Sequence, residues 1–119
     1  MNRPTLTVCR GCCCGRPEKH PGTDHRAQLE AFRAAGARVR VVDCLDACER
    51  SNVVVVSPTP EGRATGARPV WLGAVLDDDR TADVVRWVDA GGPGVAEPPD
   101  FLDLQVFRPS RRVRGESGL

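Results

Sequence analysis

The chain has 119 residues, which suits one domain with a modest core. Apolar residues make up 40% and charged residues 28%, as in globular proteins, and a net charge of +1 gives no overall case for nucleic-acid binding. No apolar run reaches membrane-spanning length and the opening "MNRPTLTVC" lacks the apolar centre of a signal peptide, so the expected location is the cytoplasm.

In chain order, "TLTV", 5–8, alternates and is β-branched, which predicts a strand ending at Cys9. A Cys/Gly/Pro loop, 9–22, follows. "TDHRAQLEAFRAAG" then predicts a helix, with Thr23 or Asp24 capping its start and Gly36 closing its end. Leu29 and Phe32 share its buried stripe, with Ala35 nearby. "RVRVVD", 38–43, predicts a second strand and "CLDACERSN" a loop. "VVVVS", 53–57, is a continuous apolar strand, which predicts burial on both faces and a central place in the sheet. "PTPEGRATGAR", 58–68, reads as a polar connection. "PVWLGAV", 69–75, predicts a fourth strand whose leading proline suits an edge. "DDDRTADVVRWVDAGG" predicts a second helix, with Val84, Val85 and Val88 inward and Gly91 as its stop. The remainder, 93–119, reads as a tail on a domain of residues 1–92. Its "FLDLQVF" contains Phe101, Leu102, Leu104, Val106 and Phe107, which need burial and predict docking. Its end, with Arg108, Arg111, Arg112 and Arg114, is expected to be mobile.

The predicted order is β-α-β-β-β-α with a mixed four-stranded sheet, an α/β class. A strand–helix–strand unit makes its two strands parallel by a right-handed crossover, and a short connection makes the next pair antiparallel. This is the minimal thioredoxin-like arrangement.

All six cysteines lie before residue 49. In a reducing compartment they point to metal or redox chemistry more than to structural disulfides. Cys9 follows the first predicted strand and Cys44 the second. Parallel strands end on the same side of a sheet, so the two cysteine loops should meet at one edge, where open α/β sheets place their sites. The second loop offers Cys44 and Cys48, spaced C-x3-C. The first offers Cys9 with Cys12, Cys13 or Cys14. Four thiolates can hold a [2Fe–2S] cluster or a zinc ion, and spacing alone leaves both open. Gly11 and Gly15 would let backbone N–H groups turn toward the sulfurs.

The segment "DCLDACERSNVVVVSP", followed by "PVWLGAV" and "DDDRTADVVRWV", resembles the C-terminal half of thioredoxin-like [2Fe–2S] ferredoxins, as does the opening "VCRGC". The resemblance spans roughly residues 5–90. It implies a small one-electron carrier, not an enzyme with substrate chemistry of its own. The implied cofactor is one [2Fe–2S] cluster held by Cys9, Cys44, Cys48 and one further cysteine, and the implied partner is a redox protein. The ferredoxins place their second cysteine about a dozen residues after the first, whereas here none lies between positions 14 and 44. The related electron-transfer subunit of respiratory NADH dehydrogenases uses C-x4-C. Cys9 and Cys14 have that spacing, so Cys14 is taken as the fourth ligand, with Cys13 and then Cys12 as alternatives. Ferredoxins of this kind can pair, and "FLDLQVF" is a candidate dimer strip.

Other residues carry blander readings. The two surplus cysteines read as bystander thiols. His25 falls on the Leu29 and Phe32 stripe and reads as packing at the helix's first turn, and His20 is not needed as a ligand when four cysteines suffice. Arg10, Arg16 and Lys19 read equally as a solvated face or as charge compensation and partner docking. Asp46 would lower a cluster's potential or cap the following turn. Trp71 and Trp87 read as packing residues. Two other function classes use the same cysteines. One is a four-cysteine zinc or metal-handling module. The other is a thiol–disulfide oxidoreductase built on Cys9 and Cys12, which would leave Cys44 and Cys48 without a role.

Overall fold

A computed structural model describes residues 3–9, 25–42, 53–99, 102 and 105–107. The elements are β1 (Thr5–Cys9), α1 (His25–Ala34), β2 (Arg38–Val42), β3 (Val54–Ser57), α2 (Pro60–Ala64), β4 (Val70–Leu72), α3 (Asp78–Ala90) and β5 (Val106–Phe107). The strands form one mixed sheet in the order β2-β1-β3-β4-β5. β1 and β2 are parallel, as a crossover through α1 requires, with Thr5 opposite Arg38 and Cys9 opposite Val42. β3 runs antiparallel to β1 and to β4. It lies at the centre, and all four of its residues are buried, as its unbroken valine run predicts.

Strand alternation divides the apolar residues between two faces. Leu6 and Val8 of β1, Val54 and Val56 of β3, and Leu72 of β4 face the helices. There they pack with Phe32 of α1 and with Val84, Trp87 and Val88 of α3. Leu29 and Val85 pack at the margin of this core. Fully burying a side chain of this kind contributes about 1.5–3 kcal/mol relative to leaving it exposed. The helix stripe also contains a polar member, Gln28, which is buried. Its Nε2 donates to the Val75 carbonyl at 3.0 Å and to Thr81 Oγ1 at 3.1 Å, tying α1 to the start of α3.

The limits of α3 follow its capping residues. Asp77 accepts a hydrogen bond from the Arg80 amide at 2.7 Å, and Gly91 ends the helix with φ 115°. Within α3 the carboxylate of Asp83 is buried and paired, with Arg80 Nη2 at 3.3 Å and with Arg86 on its other side. Trp87 donates its indole N–H to the Ala96 carbonyl at 2.9 Å, holding the chain after α3 against the core.

The structure differs from expectation in three places. The connection 58–68 is not all loop, because α2 occupies Pro60–Ala64. Thr59 caps it, Pro60 stands at its first turn and Glu61 adds an acidic group there, a helix-start pattern overlooked among the surrounding glycines and prolines. The sheet has five strands instead of four, because Val106 and Phe107 pair with Leu72 and Trp71. β4 is therefore covered by β5 and is not the edge that Pro69 suggested. From the tail, Leu102 is fully buried in the helix-side core, Phe107 is half-buried, and Val106 is exposed. Phe101, Leu104 and the arginines beyond residue 107 lie outside the described residues. Among the described residues no helix is long and apolar enough to cross a membrane.

Candidate metal centre

Cys9 is the last residue of β1 and only 2% exposed. It falls on the sheet face turned away from the helices. There it joins Val53, Val55 and Trp71 in a second buried cluster, with Val42 and Phe107 against its margin. Trp71 and Phe107 meet edge to face, their ring centroids 6.1 Å apart at 76°. β5 thus adds an aromatic wall to the face that holds Cys9.

Two neighbours fix the Cys9 backbone. On one side Val42, the last residue of β2, is its register partner in the parallel ladder. On the other, the Cys9 N–H donates to the carbonyl of Val53, immediately before β3, at 3.2 Å. Val42 and Val53, the described residues on either side of the stretch 43–52 that carries Cys44 and Cys48 in the sequence, therefore both flank Cys9. Sequence reasoning anticipated the Val42 side from the parallel crossover. It missed the Val53 side, because a valine run reads as central without revealing which strands flank it.

Thr7 precedes Cys9 by two positions on the same face. It is 1% exposed, and its hydroxyl has no hydrogen-bond partner among the described residues. Alternation from Cys9 back along β1 was the available signal for it. Register places Arg38 opposite Thr5 and Arg40 opposite Thr7, so both arginines lie on the Cys9 side of the sheet, at its β2 edge.

Of the predicted cluster ligands, Cys9 is placed by the structure, and Cys14, Cys44 and Cys48 lie outside the described residues. So do Cys12 and Cys13, and Arg10, Gly11, Gly15, Arg16, Lys19, His20 and Asp46. His25 is the first residue of α1 and half-buried, as expected of a residue packed at a first turn. Trp71 and Trp87 are both core residues, one on each side of the sheet. Among the described residues alone, no group of three or more His, Cys, Asp or Glu side chains is arranged to hold a metal ion. Comparison with protein-family models, with curated proteins and with solved structures gave no match to this chain.

Proposed function

We propose that the chain is a small one-electron carrier that binds a [2Fe–2S] cluster through Cys9, Cys14, Cys44 and Cys48, on a thioredoxin-like fold. The observation that carries this reading is that Val42 and Val53, the described residues on either side of 43–52 in the sequence, lie on the two sides of Cys9. Cys44 follows Val42, the residue opposite Cys9, by two positions in the sequence, and two residues of chain span at most about 7 Å. The order β2-β1-β3-β4, with one parallel and two antiparallel pairings and with α1 and α3 packed on one face, supports the thioredoxin-like reading.

The donor set suits the cofactor. Four thiolates match the requirement of a [2Fe–2S] centre for two ligands per iron. Val42, Val53, Val55 and Trp71 form a dry wall around Cys9, which keeps water from that ligand and lowers the local dielectric. The cluster, when bound, accepts and returns a single electron. The protein's part is to hold the ligands near the end of the sheet and to present that end to a redox partner protein.

Anaerobic reconstitution of the full chain tests this. The expected result is two irons and two sulfides per chain, visible absorption of a [2Fe–2S] centre, and an electron-spin signal on reduction. Single serine replacements at Cys12, Cys13 and Cys14 identify the fourth ligand, with loss expected at Cys14. One bound zinc without sulfide would replace the electron-carrier reading with a zinc module. Disulfide reductase activity that survives Cys44→Ser would replace it with a thiol oxidoreductase.

A further inference from the structure

We propose that the outer edge of β2 is a docking site for an extended acidic segment of a partner protein, which joins the sheet as an added strand. β2 stands at the end of the strand order, and among the described residues only β1 pairs with it. Arg38, Arg40 and Val41 are all exposed, Val41 by 46%. An open strand edge presents a row of backbone donors and acceptors, and side-chain chemistry then decides which extended chain it accepts.

The side chains of β2 alternate cleanly. Arg38 and Arg40 lie on the Cys9 side of the sheet, opposite Thr5 and Thr7. Neither forms an ion pair with a described residue. Val39 and Val41 lie on the other side. A strand laid along this edge meets guanidinium groups on one face and valines on the other. Its complement is an alternation of acidic and apolar residues.

A second copy of this chain fits less well than an acidic strand. In a two-fold antiparallel pairing, residues directly opposite share a face. Pairing centred on Arg40 sets it against Arg40 of the second copy, and pairing centred on Val39 sets Arg38 against Arg40. Like charges directly opposite are destabilising, whereas an acidic strand turns each contact into an attraction. The same pattern favours the acidic partner over a second copy in both of these registers; pairing centred on Val41 sets Arg40 against Val42 and escapes the repulsion, so dimerisation is read separately in the test below.

The edge lies beside the candidate metal centre. Val42 ends β2 opposite Cys9, so a strand added outside β2 lies two strand spacings, about 10 Å, from β1. Docking does not depend on a metal at Cys9. Where the one-electron reading holds, it brings the partner to the side of the molecule where the electron resides.

The probe is a synthetic peptide of alternating Glu and Val, with a peptide carrying Lys in place of Glu as control. Binding to the full chain is measured by calorimetry at low and high salt, and amide exchange is followed across residues 38–42. The expected result is slowed exchange in β2, affinity that falls with salt, and a loss of roughly tenfold or more in the Arg38→Glu/Arg40→Glu variant. If that variant is unfolded by circular dichroism, Arg38→Gln/Arg40→Gln gives the same comparison with a smaller expected loss. Equal binding of the Lys peptide, protection outside β2, or no binding at low salt would each overturn the proposal. So would protection of β2 that rises with protein concentration in the absence of peptide, since a second copy would then own the edge. Repeating the measurement on metal-free protein keeps this result separate from the cluster reading.

Discussion

The Cys9 amide donates to the Val53 carbonyl across 3.2 Å, at the point where β3 begins alongside the end of β1. Val42 flanks Cys9 on the opposite side. A metal bound by Cys9, Cys44 and Cys48 would tie these three strand ends together, so that its binding energy becomes local folding energy. On the proposed cluster-bearing protein, treatment with a chelator is therefore expected to speed hydrogen exchange at the Cys9 amide by about tenfold or more, through local opening of the strand ends. The amide of Val55, deeper in the same ladder, should change little. Exchange followed by NMR before and after chelation measures both. Cys9→Ser should reproduce the metal-free pattern without added chelator.

Gln28 ties the two long helices together at a point no water reaches. It is 3% exposed, and its Nε2 donates to Val75 and Thr81. Gln28→Leu keeps the volume and removes the donor, leaving the Val75 carbonyl without that bond. The expected cost is about 1–3 kcal/mol, read as a lower urea midpoint with an unchanged slope. Gln28→Glu should cost more, because it sets a buried negative charge against a carbonyl oxygen. Ala27, one position earlier and exposed, should tolerate Ser with almost no change.

How far the sequence foretold this arrangement varies with the kind of signal. β1, β2 and β3 were legible because β-branched residues alternate or run unbroken between turn residues, and the parallel pair followed from the intervening helix. α3 was legible from its acidic start and from Gly91. Two features were hidden by competing signals. The glycines and prolines around Thr59 masked the cap-and-proline start of α2. The two residues of β5 are too short to show any period, and they become a strand only because Trp71 and Leu72 offer an open edge. Apolar periodicity finds Leu29 and Phe32 and is blind to the buried amide of Gln28, which flanks Phe32 on the same face. At the candidate site, the shared end of β1 and β2 was deducible, whereas the hydrogen bond from Cys9 to Val53 depends on strand neighbours that no local pattern encodes.

Ala74 marks where β4 stops. It is exposed and has φ 54°, the left-handed conformation that a Cβ disfavours. The turn is held by Gly73, whose amide donates to the Gln105 carbonyl at 2.8 Å and whose carbonyl accepts from Gln105 Nε2 at 3.0 Å. Ala74→Gly relieves the backbone strain and gives back part of the gain as unfolded-state entropy. A net stabilisation of about 0.5–1 kcal/mol is expected. Ala74→Val should destabilise, because branching at Cβ worsens the same clash. Thermal melts of the three proteins order them as Gly above Ala above Val, and any other order would assign this turn a different origin of strain.

Gly62 in α2 and Gly66 just after it separate two reasons for glycine. A Cβ at Gly62 would sit 2.2 Å from the Pro93 carbonyl oxygen and 3.1 Å from the Pro58 Cβ, so the obstacle is space occupied by backbone. At Gly66 nothing lies within 4 Å, and the obstacle is φ +94° alone. Gly62→Ala must push α2 away from the turn after α3, disturbing the bond from Thr65 Oγ1 to the Gly62 carbonyl at 2.7 Å. Its cost should be about 1–3 kcal/mol, and no choice of side chain should recover it. Gly66→Ala should cost about 1 kcal/mol, and Gly66→Asn should recover part of that, since asparagine tolerates the left-handed region. Urea midpoints for the three variants distinguish the cases. If Gly62→Ala were as mild as Gly66→Asn, α2 would not be seated on the 93–94 turn, and the connection between β3 and β4 would lack that support.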